Sequence, residues 1–213
     1  VAYFYNQADG RKEVVVNDRL GKGARDVHGD FFTSEYGNRA SDYYGTEEVA
    51  EAAHKWEENR GISQSFGYNR EDTDENVQTS EQLVETLVDI VSRNGNLILI
   101  TNLNGQGSMP EIYGERLRAT GDWLKVNEEA IYGTRPYKMD ADNDYIRVTR
   151  KGNTVYAVLF RWPGSRLVLE NVAPTWKTVV TLLGTDEALK WKNNGNELSI
   201  TVPDLSESER PCR

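Results

Sequence analysis

An α/β fold with a parallel sheet, followed by an antiparallel β-sandwich, is predicted by this sequence on three observations. In the first two-thirds, short β-branched runs alternate with segments of helical periodicity. Within that stretch, the order strand, loop, strand, helix, strand, helix argues for an α/β architecture with a parallel sheet. Near residue 140 the pattern changes, and short strand-like runs then follow one another with turn signals between them.

Taken in order, Val1–Asn6 reads as the tail of an amphipathic helix. Glu13-Val14-Val15-Val16-Asn17 is β-branched and ends in polar groups, the pattern of a buried parallel strand whose C-terminal end faces a site. Ser63–Tyr68 is the second strand candidate. Between them, Thr46–Trp56 has the composition of a capped helix, with extended structure resuming near Trp56. Thr79 and Gln82 form a capping box ahead of a stripe of Leu83, Val84, Leu87, Val88 and Val91, and Gly95 is expected to close that helix. Leu97-Ile98-Leu99-Ile100 is a continuous apolar strand, expected to be buried on both faces. Pro110 sits where a first helical turn begins, and Leu117, Gly121 and Leu124 give that helix its inner face.

The sandwich rests on Tyr145–Thr149, Thr154–Arg161, Arg166–Glu170, Thr178–Leu183, Leu189–Lys192 and Leu198–Val202. Lys151-Gly152-Asn153 and Asn193-Asn194-Gly195-Asn196 supply the turns. The expected division is 1–138 for the α/β region and 139–213 for the β region. Asp140-x-Asp142-x-Asp144 starts like a calcium loop but lacks the glycine and distal glutamate, so it reads as a solvated linker.

Composition narrows the chemistry. A net charge of −9 with no Lys/Arg cluster argues against phosphate neutralisation, hence against nucleic acid; a neutral ligand such as a carbohydrate fits better. No apolar run reaches the length of a bilayer span. Cys212 is the single cysteine, so neither an internal disulfide nor a thiolate metal cage can form, and His28 and His54 supply no zinc site of their own. No metal or cofactor is expected.

One fifty-residue stretch interleaves an arginine, carboxylates and aromatics: Val16-Asn17-Asp18-Arg19, Thr33-Ser34-Glu35-Tyr36, Lys55-Trp56-Glu57, and Arg60-Gly61-Ile62 leading to Ser65-Phe66-Gly67-Tyr68-Asn69. Such groups can hold and cleave a sugar. With Leu87-Val88-Asp89-Ile90-Val91-Ser92, Asn94-Gly95-Asn96-Leu97 and Ala130-Ile131-Tyr132-Gly133-Thr134-Arg135-Pro136, the ordered set resembles the C-terminal half of an α-L-fucosidase of glycoside hydrolase family 29. One departure is Asn102-Leu103-Asn104-Gly105, where many relatives carry Asn-x-Gly-Pro.

The resemblance implies the C-terminal part of an irregular (β/α)8-like barrel followed by the sandwich. It also implies retaining hydrolysis of terminal α-L-fucose, which uses two carboxyl groups about 5 Å apart. By resemblance Glu35 matches the acid/base, Arg19 an active-site arginine, and Phe66 a residue on the methyl face of fucose. Trp56 is a further substrate-contact candidate, and Asp18 is expected to support Arg19. No residue here matches the nucleophile, which in the family lies upstream, so the 213 residues alone are expected to be inactive. The expected partners are a fucosylated oligosaccharide or glycoconjugate, and a missing N-terminal half or a partner chain that completes the barrel. Family members occupy periplasmic, secreted or lysosomal compartments, and this sequence does not choose among them. A non-catalytic carbohydrate-binding protein, or a degenerate fucosidase, is the alternative.

The chemistry of the residues agrees with these roles. A general acid needs a carboxyl whose pKa is raised by burial or a neighbouring carboxylate, and Phe31, Phe32 and Tyr36 flank Glu35 to provide burial. Arginine keeps its proton at any working pH and can orient a carboxylate or a hydroxyl. A 6-deoxy sugar presents a methyl group, which an aromatic face accommodates.

Overall fold

The computed structural model describes residues 1–8, 10, 14–37, 54–137, 145–185, 187–195 and 197–206. The helix expected over Thr46–Trp56 and the Asp140–Asp144 linker fall largely or wholly outside these residues. After a short helix α1 (Ala2–Gln7), the first region is a parallel sheet of β1 (Phe32–Glu35), β2 (Trp56–Gly61) and β3 (Gly95–Ile100), side by side in that order. Helices α2 (Ser80–Ser92) and α3 (Glu111–Asn127) accompany it.

The strand expected over Glu13–Asn17 is reduced, among its described residues, to one parallel bridge from Asn17 to Phe31. Asp30 is the reason. Its amide donates to the Val16 carbonyl and its carboxylate accepts the Val16 amide, so one residue takes both ladder positions. The strand expected over Ser63–Tyr68 is a series of bends, and extended structure lies earlier, at Trp56–Gly61. That run is polar in sequence, yet Glu58 is buried within it. Its Oε1 accepts the Gly37 amide at 2.7 Å and both Nε and Nη2 of Arg60 at 3.1 Å, which offsets the cost of burying a charge.

Helix α2 starts with the expected capping box: Thr79 accepts from Gln82 N, and the Gln82 side chain accepts from Thr79 N. Its end differs from expectation. Asn94, at φ +70°, takes the left-handed position after the Arg93 cap, and Gly95 already belongs to β3. Gly95 is needed for another reason: a Cβ there would lie 2.6 Å from Cε2 of the Trp56 indole. Strand β3 is not buried on both faces, because Leu97 and Leu99 pack towards the helices while Ile98 is 43% exposed. In α3, Leu117 and Leu124 pack inward as expected, joined by the buried Tyr113 and Trp123.

The second region contains two antiparallel sheets. One joins β4 (Arg135–Pro136), β5 (Ile146–Lys151) and β6 (Thr154–Leu159). The other orders β7 (Arg166–Glu170), β9 (Glu197–Thr201) and β8 (Trp191–Asn193). The strand expected over Thr178–Leu183 contributes only a bridge from Thr181 to Ala188. Ile146, Val148, Leu167, Leu169, Leu198, Ile200 and Val202 form one core between the sheets. The two regions share a further cluster, in which Val158 and Phe160 meet Val88, Trp123 and the apolar stripe of α2. Asp89 of α2 is ion-paired with Arg147 of β5 beside it.

Candidate active site

Neighbours across parallel strands point to the same side, and successive residues alternate sides. The register therefore sorts the sheet into two faces. Phe32, Trp56 and Gly95 form one row, and Ser34, Glu58 and Leu97 the next, all towards α2. Thr33, Glu57 and Asn96, then Glu35, Asn59 and Ile98, form the opposite face, where Asn96 and Ile98 are open to solvent.

The open face carries the candidate chemistry, at the C-terminal ends of the strands. Arg19 follows the Asn17 bridge and reaches across to β1. Its Nε donates to Thr33 Oγ1 at 2.7 Å, and its Nη1 is ion-paired with Glu35 Oε1. Thr33 Oγ1 in turn donates to Asp18 Oδ1 at 2.7 Å, while Asp18 Oδ2 accepts the Asp26 amide at 3.1 Å. Asp18 is thus fully buried with both oxygens satisfied. It supports Arg19, but through the Thr33 hydroxyl rather than by direct contact. Sequence reasoning assigned Thr33 no role, although its place two residues before Glu35 puts both on one face of β1.

Glu35 and Arg19 each keep 35% of their side-chain surface exposed. Among the described residues, Glu35 Oε2 accepts no hydrogen bond, so a pre-aimed carboxyl presents one occupied and one available oxygen. The aromatic shield expected for Glu35 is only partly there. Phe32 points to the helix face, stacked 4.1 Å from the His54 ring. Tyr36 turns away along the strand end with φ +49°.

Trp56 is not at this site. It is 0% exposed on the helix face of β2, and its indole N–H donates to the Arg93 carbonyl at 2.9 Å. No surface is left for a sugar; even parity along β2 sends Trp56 one way and Glu57 the other. Glu57 does share the open face, where it accepts Asn59 Nδ2 at 3.1 Å beside Glu35.

Phe66 lies in the loop after β2, 40% exposed, with its ring centroid 4.8 Å from that of Tyr36. The structure thus brings Arg19, Glu35 and Phe66 to one end of the sheet. The Phe66 loop is closed at its base, where the Gln78 amide donates to the Ile62 carbonyl at 3.1 Å. It is also pinned by Tyr113, whose hydroxyl donates to Asp72. Burial, reinforced by the Asp72 carboxylate, pushes the Tyr113 phenol up to about 12. A fixed carboxyl and guanidinium can exchange hydrogen bonds with a polyhydroxylated ligand, and the half-exposed ring offers an apolar contact nearby.

The chain is similar to known proteins along almost its whole length. Residues 1–129 match the family model for alpha-L-fucosidase, and residues 139–213 match that for the alpha-L-fucosidase C-terminal domain. Tissue alpha-L-fucosidase of Bos taurus is 34% identical over 216 residues, covering 99% of this chain and 44% of that protein. Alpha-L-fucosidase of Branchiostoma floridae is 34% identical over 220 residues, covering 100% of this chain and 47% of its own length. The crystal structure of Thermotoga maritima alpha-fucosidase in complex with fucose superposes with a TM-score of 0.74 and 38% identity, over 95% of this chain and 43% of that one. The chain spans less than half the length of these relatives, and its parallel sheet with a following β-domain corresponds to the C-terminal part of the fucosidase barrel and the domain after it. By its family match and its likeness along almost its whole length, the chain belongs to the α-L-fucosidase family.

Proposed function

We propose that the protein containing these residues is a retaining exo-α-L-fucosidase that removes terminal α-L-fucose from glycans or glycoconjugates. The observation that carries this reading is the Arg19–Glu35 pair, fixed through Thr33 by buried Asp18 on the open face of the sheet. Glu35 protonates the departing glycosidic oxygen from Oε2 and then takes a proton from water, while Arg19 holds Oε1 and sets the carboxyl plane. The nucleophile is an aspartate outside these 213 residues, in a segment that also covers the open face of the sheet. Phe66 meets the C6 methyl group of fucose, as its place beside Tyr36 and its half-exposed ring suit it to do. The same reading divides the chain into a barrel part, 1–138, and a β-sandwich, 139–213, with β4 (Arg135–Pro136) reaching across that division to pair with β5. The fucose bound in the Thermotoga maritima relative supports the choice of sugar.

The test is Glu35→Gln in the complete enzyme. With an aryl fucoside carrying a good leaving group, glycosylation should stay near wild type while deglycosylation slows, and azide should partly restore turnover. On natural disaccharides, the variant should lose about 100-fold or more in kcat. Wild-type turnover of disaccharides by the glutamine variant would remove Glu35 from the mechanism. Turnover by residues 1–213 alone would place the nucleophile within this chain.

A further inference from the structure

Tyr36 follows the acid directly, and its backbone conformation is unusual for its residue type. At φ +49° it occupies the left-handed region, which bulky side chains rarely adopt and which persists only where surrounding contacts hold it. Those contacts are present. The Tyr36 amide still donates to the Asn59 carbonyl at 3.3 Å, so the ladder runs one residue past Glu35 before the chain turns. The side chain then crosses the end of β2. Its hydroxyl accepts the Gly61 amide at 3.0 Å, its ring meets Phe66 at 4.8 Å and 54°, and the Arg60 guanidinium lies 5.9 Å over the same ring. Gly61 leaves no slack: a Cβ there would come within 2.0 Å of the Ser65 carbonyl oxygen and 2.8 Å of the Tyr36 hydroxyl.

The peptide that carries Glu35 and the loop that carries Phe66 are therefore tied to each other by one side chain. We propose that Tyr36 is a positioning residue for sugar specificity, holding Phe66 at a fixed offset from Glu35 so that a 6-deoxy sugar is seated with its glycosidic oxygen at the acid. The inference rests on the fucosidase reading above, with Phe66 as the methyl contact. Tyr36 itself touches neither reacting atom; it acts through the ring it supports and the loop end it anchors.

Three variants of the complete enzyme separate ring, hydroxyl and backbone. Tyr36→Phe keeps the ring and loses the hydroxyl. Tyr36→Ala loses both, and Tyr36→Gly loses both while relieving the backbone. Each is measured with an aryl α-L-fucoside and with the α-L-galactoside, which differs by a hydroxyl on C6. Tyr36→Ala and Tyr36→Gly should lower kcat/KM for the fucoside by about 10- to 100-fold and for the galactoside by less than about threefold. Tyr36→Phe should stay within about tenfold of wild type and keep most of the discrimination, with an unshifted pH–rate profile. Combining Tyr36→Ala with Phe66→Ala should cost little more than either change alone, because the two residues act as a unit. If Tyr36→Ala does not fold, Tyr36→Leu carries the same expectation, since it keeps bulk without a ring face. Equal losses on the two sugars, recovery of discrimination by glycine, or independent multiplication of the two alanine effects would each overturn the inference. A wild-type enzyme without fucoside turnover would overturn the parent reading and this inference together.

Discussion

In the β-sandwich, both sheets turn an inner face to the same core; in the parallel sheet, the described residues pack against one face only. The sandwich core runs without interruption from Ile146 and Val148 through Leu167 and Leu169 to Leu198 and Ile200. The parallel region has three smaller clusters around Trp56, Tyr113 and Trp123, all associated with its helices. Its other face holds Thr33, Glu35, Glu57, Asn59 and Asn96. The difference shows how the groups are divided: the face that these residues leave unpacked carries the polar groups that can be aimed at a ligand, and rigidity comes from the helix face behind it.

The largest test of that contrast is a pair of core truncations. Trp56→Ala should cost about 3–5 kcal/mol and Leu169→Ala about 2–5 kcal/mol, the range for large-to-small changes at fully buried sites. Hydrogen exchange should then localise each loss. Trp56→Ala should open residues 56–61 and 95–100 while 146–151 and 197–201 stay protected, and Leu169→Ala should do the reverse. Equal deprotection of both regions by either variant would mean a single cooperative unit and would end the comparison.

A smaller effect measures how the regions are joined. Asp89 accepts from both Arg93 and Arg147, and the second pair crosses from α2 to β5 in a partly buried setting. A double-mutant cycle on Asp89→Asn and Arg147→Met should give a coupling of about 1 kcal/mol, read from denaturant midpoints. A coupling near zero would leave the junction to its other contacts, among them Val158, Phe160 and the bond from the Thr149 hydroxyl to the Ala130 carbonyl.

The smallest effect is read from the slope of stability at alkaline pH. Tyr113 titrates near 12 in the folded state against an ordinary value of 10, so the folded protein holds this proton more tightly. Its contribution is complete below pH 10, falls as the unfolded chain ionises, and is gone above about pH 12. Tyr113→Phe should therefore flatten the decline of stability between those values in alkaline melts. An unchanged alkaline slope would show that burial and Asp72 do not hold the Tyr113 phenol above its ordinary range.

Local patterns were legible where local forces decide. The capping box of α2 and its apolar stripe could be read directly, because both follow from residues three and four apart. Asp18, Arg19 and Glu35 could be singled out as chemistry. What lies across strands could not. The sequence Trp-Glu-Glu-Asn-Arg-Gly does not look like a buried strand until Arg60 and the Gly37 amide are seen to meet the Oε1 of Glu58. Trp56 and Glu57 are adjacent in a motif, and only the register with β1 and β3 reveals that they serve opposite faces. The same holds for Thr33, whose bond to Asp18 joins residues fifteen apart.

The register of β2 also sets a rule about length. A residue added to a loop beyond the strands, such as that after β3, leaves the row from Thr33 through Glu57 to Asn96 in place. One residue added within Trp56–Gly61 inverts everything after it, so that Glu58 and Arg60 would emerge on the open face and Asn59 would sink beneath the helix. Insertions and deletions should thus be least tolerated in a six-residue strand that contains neither the acid nor its arginine.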